Sequence, residues 1–258
     1  MAKYRLMVAP NGARRGRGDH PALPVTPQQT AETAAACFAA GVHALHLHVR
    51  DNEGRHSLDA GRYREALAAV RERVPAMAVQ ITTESAGIYD VTAQYVCLEA
   101  LRPAAASVSV REMARDPGLA ARAYALCAEA GTQVQHILYG PDCVAQLSAW
   151  YEDGIVPSAM RDAIFVLGKY NPPVLARPEG LAIFQDAAAD LGLTWAACAF
   201  GRQEQACLLA AVAAGGDARI GFENNIETPE GGLLADNAAS VAAFVQAAKA
   251  QGLSLKEC

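Results

Sequence analysis

Residues 43–51 read HALHLHVRD, an apolar run in which histidines alternate with apolar residues before two charged residues end it. Alanine-rich segments with helical periodicity flank this run, at Pro27–Ala40 before it and at Gly61–Arg73 after it. Thr26 is the predicted N-cap of the first of these helices, with Pro27 at the first helical position, and Gln29 can complete a capping box. A short strand between two helices is the unit from which α/β proteins are built.

The same strand–helix unit recurs along the whole chain. Further helices are predicted at Leu119–Ala130 and Arg202–Ala214. Glycines that follow predicted helices indicate where those helices end. Strands are predicted at Arg5–Ala9, His43–Val49, Met77–Thr82, Ala105–Val110, Gln133–Leu138, Ala163–Leu167, Thr194–Cys198 and Arg219–Phe222.

Eight strands joined by helical crossovers form either a closed barrel or an open, doubly wound sheet. The open, dinucleotide-binding version would carry a G-x-G-x-x-G motif after the first strand, and no such motif is present there. The 258 residues also match the length of one (β/α)8 barrel, roughly 250 residues. Because there is no linker or break in composition, we predict a single-domain (β/α)8 TIM barrel, with residues 1–258 as its catalytic domain.

Composition and charge exclude several classes of protein. The net charge is −5 and there is no long basic run, so we expect no nucleic acid and no membrane surface as partner. There is no segment typical of a signal peptide and no stretch of about 18 apolar residues. The seven cysteines include no CxxC pair, which favours free thiols in a reducing compartment. We therefore expect a cytoplasmic protein.

The predicted second strand ends in two histidines that are candidates for metal binding. His46 and His48 are two residues apart, so on a strand both rings point to the same face. In a (β/α)8 barrel the carboxyl ends of the strands carry the chemistry. Glu223, at the end of the eighth strand, would lie two strands away and is the candidate third ligand. Two histidines and one carboxylate leave coordination positions open, as in a catalytic zinc site; hydrogen-bonded structural histidines are the alternative.

Polar residues also follow the other predicted strands. A core prefers apolar side chains, so this many hydrogen-bonding groups around one rim indicate a polar pocket. Arg14 also belongs to a group of three arginines in one loop, with Arg15 and Arg17, that suits a carboxylate or phosphate ligand. The candidates for substrate binding are Asn11, Arg14, Thr82, Thr83, Ser109, Arg111 and Gln135.

The sequence resembles the β-keto acid cleavage enzymes along most of its length. Two stretches are specific as a pair, H-L-H-V-R-D at residues 46–51 and R-I-G-F-E-N-N at residues 219–225. Further matching stretches lie at residues 9–13, 23–27, 82–83, 165–168, 199–202 and 235–238.

The resemblance implies a (β/α)8 barrel with zinc held by His46, His48 and Glu223. It further implies a reaction that joins a β-keto acid to acetyl-CoA and splits the product into acetoacetate and a new acyl-CoA. Arg219 matches a family arginine near the reacting centre, where it would steady a carboxylate or a developing oxyanion. Thr82 matches a residue that binds the substrate carboxylate. Relatives also suggest a homo-oligomer, a dimer or a tetramer.

The chain departs from the family pattern at positions that matter for chemistry. Asn224 stands where the family often has aspartate, and an amide cannot act as a general base. Glu84 is the candidate replacement, and we place Arg219, Glu84 and Asn224 at the catalytic centre. Arg14 stands where the best-known member has an acidic residue, which predicts an anionic substrate such as a dicarboxylic β-keto acid. Gln135 replaces a usual glutamate.

Three functions therefore compete. The first is a zinc-dependent β-keto acid:acetyl-CoA acyltransferase, although nickel or cobalt could share the same ligands. The second is a metal-dependent lyase or hydrolase that acts on an oxo acid without CoA. The third is a binding protein that keeps the pocket without turnover. Dependence of turnover on acetyl-CoA separates the first from the second.

Overall fold

The computed structural model describes residues 3–169 and 174–256, and within them eight parallel strands close into a barrel. Each strand pairs with the next, and the last pairs with the first, with Ile220 opposite Val8. The predicted (β/α)8 barrel is thereby confirmed. In chain order the strands are β1 (Leu6–Val8), β2 (Ala44–Leu47), β3 (Ala78–Thr82), β4 (Ala105–Ser109), β5 (Gln133–Leu138), β6 (Asp162–Leu167), β7 (Thr194–Ala199) and β8 (Asp217–Ile220).

Helices surround the barrel. The first begins as predicted, because the Thr26 side chain accepts from the Gln29 amide and the Gln29 side chain completes the capping box. Among the described residues no helix combines the length and the apolar character needed to cross a bilayer. The helices are α1 (Pro27–Ala39), α2 (Ala60–Arg73), α3 (Val91–Leu101), α4 (Val110–Met113), α5 (Pro117–Ala130), α6 (Pro141–Glu152), α7 (Gly180–Ala187), α8 (Glu204–Ala213) and α9 (Asn237–Ala250), with a 3-10 turn at Ala189–Leu191.

Within the described ranges, two short strand pairs lie outside the barrel. Lys3–Tyr4 runs parallel to Ser254–Leu255, which joins the two ends of the described chain at the amino-terminal end of the barrel. Val49–Arg50 pairs antiparallel with His56–Ser57 directly after β2. This second pair forms a small hairpin at the carboxyl end, where the polar residues gather.

The predicted strands agree with the observed ones to within two residues at each end. At β2 the predicted strand ran to Val49, whereas the barrel strand ends at Leu47 and the chain continues into the hairpin. At β8 the predicted strand ran from Arg219 to Phe222, whereas the strand spans Asp217–Ile220. The chain leaves β8 at Gly221, where φ is +137° and strand geometry cannot continue.

Side chains alternate between the barrel interior and the surrounding helices. The larger apolar cluster lies between strands and helices, where Phe165 stacks on Phe184 with ring centroids 5.0 Å apart. A smaller cluster of Ile137, Ile164, Val166, Ala196 and Cys198 lies on the opposite face of β5, β6 and β7. The barrel thus has an apolar side at these strands, while β2, β3 and β8 carry buried polar residues.

Candidate metal centre and active site

Two histidines and a glutamate converge at the carboxyl end of the barrel. His46 lies in β2 and His48 follows its last residue, so both rings turn to the same side. Their Nε2 atoms are 3.2 Å apart, and each lies 3.6 Å from Oε2 of Glu223. The possible ligand atoms of the three side chains all lie within 4.8 Å of one another. A single ion can therefore contact all three.

A tight turn after β8, rather than the strand itself, positions Glu223. A β-carbon on Gly221 would lie 2.5 Å from the carbonyl oxygen of Ala9, so the close approach of this turn to β1 requires glycine. The Glu223 amide donates to that same carbonyl at 3.0 Å. The close contact between the chain after β8 and the chain after β1 therefore brings Glu223 to the histidines.

Two buried side chains hold this turn from the outside. Glu204 Oε1 accepts from the Gly221 amide at 3.1 Å, and Asn237 Oδ1 accepts from the Phe222 amide at 2.9 Å. Asn237 also donates from Nδ2 to the carbonyl of Pro10 at 3.1 Å. With the Glu223 amide bound to Ala9, three successive amides of the turn have fixed acceptors.

Burial and a neighbouring cation set the charge of the cluster. Burial would raise the pKa of Glu223, but Arg219, whose Nη2 donates to Glu223 Oε1 at 3.3 Å, holds that pKa well below its ordinary value. Burial lowers the pKa of His46 well below its ordinary value, and Arg219 adds to this effect. The cluster is thus a carboxylate that faces a neutral imidazole.

The donor set of this cluster fits a divalent metal. Two imidazole nitrogens and a carboxylate oxygen at 3.2–3.6 Å are electron-pair donors that face each other, and such an arrangement is stable when a cation or a proton lies between them. His48 Nδ1 is buried without a hydrogen-bond partner among residues 3–169 and 174–256, so the Nε2 side carries the polar interactions of this ring. Two histidines and one carboxylate are the protein ligands of a class of catalytic zinc sites.

A second carboxylate lies beside the cluster. Glu84 Oε2 is 3.9 Å from His48 Nε2, and Glu84 Oε1 is 4.0 Å from Nη2 of Arg14. Burial raises the pKa of Glu84; the negative charge of Glu223 adds to the rise, whereas His48 opposes it. The tertiary structure therefore brings Glu84 and Arg14, which are far apart in sequence, to the same edge of the candidate centre.

The backbone that carries Glu84 is fixed on both sides of its α-carbon. The Thr82 hydroxyl accepts from the Glu84 amide at 3.1 Å, and His56 Nε2 donates to the Glu84 carbonyl at 2.7 Å. Burial, followed by the nearby His48, lowers the pKa of His56 to about 3, so this imidazole is neutral. The hairpin after β2 thus supports the loop after β3.

Several residues predicted to bind substrate also have structural contacts. The Thr82 hydroxyl accepts from Ser107 Oγ at 3.1 Å, and the Thr83 hydroxyl donates to the Ser107 carbonyl at 3.1 Å. Ser109 is the N-cap of α4, and the guanidinium of Arg111 lies 3.5 Å above the Tyr139 ring. These contacts link the ends of β3 and β4.

The remaining predicted residues lie in three different surroundings. Asn11 donates from Nδ2 to the Pro24 carbonyl at 3.0 Å, and Gln135 Oε1 accepts from Gln80 Nε2 at 3.3 Å inside the barrel. Asn224 is fully buried in the turn that carries Glu223, and its amide donates to the Gly221 carbonyl at 2.8 Å. Asn224 therefore shapes the turn through its backbone.

Sequence reasoning missed several residues that hold the centre in place. Arg50 is 6% exposed and donates to the carbonyls of Asn11, Gly12 and Arg15, which fixes the loop between β1 and α1. The available signal was an arginine directly after the predicted strand, within the H-L-H-V-R-D motif. The structure adds that this arginine is buried, and a buried cation needs several acceptors. The other missed residues are Gln80, a polar residue within an apolar strand, and Glu204 and Asn237, which hold the turn after β8.

More than nine tenths of the chain is similar to each of two curated enzymes. It is 26% identical over 267 residues to a 3-keto-5-aminohexanoate cleavage enzyme of Fusobacterium nucleatum, covering 98% of this chain and 93% of that protein. It is 26% identical over 251 residues to a 3-oxoadipate:acetyl-CoA acetyltransferase of Cupriavidus necator, covering 92% of this chain and 85% of that protein.

Solved structures share the fold at lower identity. Apo ObcA matches with a TM-score of 0.68 at 15% identity over 92% of this chain, which spans 64% of the ObcA chain. A 3-dehydroquinate dehydratase of Geobacillus kaustophilus matches with a TM-score of 0.60 at 12% identity, covering 95% of this chain and 92% of that one. The family model described as beta-keto acid cleavage enzyme matches residues 3–257. The chain is therefore an enzyme that belongs to the beta-keto acid cleavage enzyme family.

Proposed function

We propose that this enzyme exchanges acyl groups between a dicarboxylic β-keto acid and acetyl-CoA at a divalent-metal centre, giving acetoacetate and a new acyl-CoA. The observation that carries the proposal is the convergence of His46, His48 and Glu223, with the carboxylate of Glu84 3.9 Å from His48. Zinc is the first candidate, because two histidines and one carboxylate are the ligands of a class of catalytic zinc sites. An ion held there would act as a Lewis acid towards the keto oxygen of the substrate.

In this proposal Glu84 moves the proton. Its raised pKa lies closer to the pKa range in which a carboxylate is an effective base at neutral pH. Glu84 takes a proton from the carbon between the keto and carboxylate groups, and Arg219 stabilises the negative charge that develops beside Glu223. Asn224 occupies the family's usual aspartate position without a titratable group, which is why the base role falls to Glu84.

The carbon chemistry then balances without a further reactant. The deprotonated carbon attacks the acetyl thioester carbonyl, and the CoA thiolate leaves. The thiolate attacks the original keto carbon, and the bond between that carbon and the attacking carbon breaks. The proton held by Glu84 returns to carbon, so acetoacetate leaves together with an acyl-CoA that carries the rest of the substrate.

The exposed guanidinium of Arg14 supports the proposal that the substrate is anionic. The side chain of Arg14 is 55% exposed, and the 4.0 Å contact with Glu84 is too long and too exposed to engage the guanidinium strongly. The guanidinium can therefore bind a second carboxylate at the entrance of the pocket. The Cupriavidus necator relative, whose name specifies 3-oxoadipate and acetyl-CoA, favours the same substrate class. We also propose a cytoplasmic, homo-oligomeric enzyme, which light scattering and cell fractionation can test.

The deciding experiment measures metal and turnover on the same preparation. Protein purified without chelators or a histidine tag is analysed by plasma mass spectrometry and is then given 3-oxoadipate with and without acetyl-CoA. We expect about one divalent ion per chain, of which zinc is the first candidate, and acyl-CoA formation only with acetyl-CoA. His46→Ala and His48→Ala are expected to lose ion and turnover together, whereas His43→Gln, before β2, keeps both.

Two results would change the proposal. A protein that neither contains nor takes up a divalent ion would leave the cluster as a structural one and overturn the metal-dependent reaction. Breakdown of the keto acid without acetyl-CoA would favour a metal-dependent lyase or hydrolase, the function that Asn224 in place of the family aspartate also allows.

A further inference from the structure

Gln80 contacts the side of His46 that faces away from the cluster. His46 and Gln80 are register partners on the neighbouring strands β2 and β3. Gln80 Oε1 lies 2.8 Å from His46 Nδ1, and the Gln80 side chain is buried. An amide oxygen can only accept, so His46 Nδ1 must carry a proton in this contact.

A contact with a second amide supports this direction of the hydrogen bond. Gln80 Nε2 donates to Gln135 Oε1 at 3.3 Å, so the amide nitrogen of Gln80 points towards β5 and its oxygen points towards His46. A neutral imidazole carries one N–H, and with that proton at Nδ1 the lone pair is at Nε2. That lone pair faces His48 Nε2 at 3.2 Å and Glu223 Oε2 at 3.6 Å.

Side-chain packing on the amino-terminal side of the barrel does not fix the orientation of the Gln80 and Gln135 amides. Gln80 and Gln135 line a cavity of about 480 Å³ that extends to the amino-terminal ends of the strands. Small residues on the same strand faces, Ala44, Ala78, Ala105 and Ala196, line this cavity together with Met7, Gln133 and Arg219, at a level where barrels of this kind often place a full layer of bulky apolar side chains. The orientation of Gln80 therefore depends on its hydrogen bonds rather than on contact with an apolar layer.

We propose that Gln80, oriented by Gln135, is a positioning residue that keeps the proton of His46 on Nδ1 and so presents the Nε2 lone pair to the metal. This inference rests on the proposed metal centre. Without Gln80, the proton of His46 gains a better acceptor on the other side, the carboxylate of Glu223 at 3.6 Å. A metal ion would then have to displace that proton before it could bind.

The first test measures the tautomer directly and needs no metal. Metal-free protein labelled with ¹⁵N-histidine is studied by NMR, with the His46 signals assigned by their loss in His46→Gln. In the wild-type protein we expect the proton on Nδ1. In Gln80→Leu we expect a shift towards the Nε2 tautomer, while Gln80→Glu, which supplies a stronger acceptor, keeps the proton on Nδ1.

The second test measures affinity for zinc by competition with a chromophoric chelator. Removal of a partner that orients a histidine ligand typically weakens metal binding about 10- to 100-fold, and we expect such a loss for Gln80→Leu. Gln80→Glu restores the affinity, because a carboxylate can also accept from Nδ1. Gln135→Leu is expected to cause a smaller loss, since Gln80 keeps its contact with His46. Gln133→Leu, on the same face of β5 two residues earlier, serves as the matched control.

The outcomes separate this inference from the proposed function. An Nε2 tautomer in the wild-type protein, or equal zinc affinity in Gln80→Leu and Gln133→Leu, would overturn the role of Gln80. A wild-type protein that binds no zinc, nickel or cobalt would overturn the metal centre, while the NMR result would still report on the tautomer. Circular dichroism of each variant separates a loss of fold from a loss of affinity.

Discussion

Gly12 lies directly against the side chain of Glu223, because a β-carbon at position 12 would lie 2.5 Å from Glu223 Cγ. Gly12 also has φ of +61°, which costs an L-residue about 1 kcal/mol. The loop after β1 thus limits where the glutamate of the turn after β8 can lie. This contact exists because β8 and β1 are neighbours in the closed barrel.

Gly12→Ala is therefore expected to displace Glu223 and weaken metal binding by at least about 10-fold, as loss of ligand support does in other metal sites. Gly154→Ala is the matched control: φ is also positive at Gly154, but no atom lies within 4 Å of an added β-carbon. Both variants are expected to lose similar stability from backbone strain, and Gly12→Ala alone to lose zinc affinity. Equal affinities in a zinc titration would show that Glu223 tolerates the displacement.

Glu84→Gln is expected to lower turnover while metal stays bound. A positioned general base contributes about 10²- to 10⁴-fold to a rate, and we expect a loss of kcat in this range. Glu84 Oε2 is 3.9 Å from His48 Nε2, so this residue adjoins the ligands of the proposed centre without joining them. The check is kcat together with metal content, with Glu53→Gln, an exposed site in the hairpin after β2, as control. Unchanged kcat at full metal content would remove Glu84 as the base.

Arg14→Glu is expected to shift substrate preference away from dianions. The measurement compares kcat/KM for 3-oxoadipate and 3-oxohexanoate, which differ by the terminal carboxylate. A lost charge-assisted hydrogen bond costs about 1.5–3 kcal/mol, so we expect the ratio to fall at least about 10-fold. Arg17→Glu makes the same charge change in the same loop at another exposed position. A ratio that falls equally in both variants would indicate a general effect of charge and would count against Arg14 as a specific contact.

We predict that the free energy of unfolding depends on pH through the proton on Glu204. Burial raises the pKa of Glu204 well above its ordinary value, although the Gly221 amide opposes the rise. The unfolded chain loses this proton near pH 4.3, about the ordinary glutamate value, whereas the folded protein keeps it to higher pH. The unfolded state then binds fewer protons, so the free energy of unfolding falls as pH rises from about 4.3 towards the folded-state pKa.

Glu204→Gln is expected to remove this part of the fall, because glutamine is neutral at every pH and still accepts from the Gly221 amide. Urea unfolding at several pH values between about 5 and 8 measures the slope for both proteins. Glu65→Gln, on α2 and remote from the turn after β8, is the control. Parallel pH profiles for the wild-type protein and Glu204→Gln would mean that Glu204 is ionised in the folded state.

The alternation of apolar strands and alanine-rich helices predicted an α/β fold, because the buried face of each element recurs with a regular period in the sequence. Chain length and the missing G-x-G-x-x-G motif then favoured the closed barrel over the open sheet. The cap at Thr26 was predictable from the local sequence, since its partners lie within one turn of helix. The pairing of His46 and His48 is also local, because residues two apart at a strand end share a face. Local geometry therefore predicted the α/β class and two of the three candidate ligands, whereas the choice of a closed barrel needed the whole chain.

The tertiary structure alone decided the remaining geometry. Glu223 lies near the histidines because the turn after β8 approaches Ala9. Glu84 lies beside His48 and Arg14 because the loops after β1, β2 and β3 meet at the carboxyl end of the barrel. Gln80 is an ordinary polar residue in the sequence, and its contact with His46 follows from the register of β2 and β3. These contacts join residues far apart in the chain, so the local periodicity of the sequence does not predict them. Barrel closure and strand register set them, because closure decides which loop ends are neighbours.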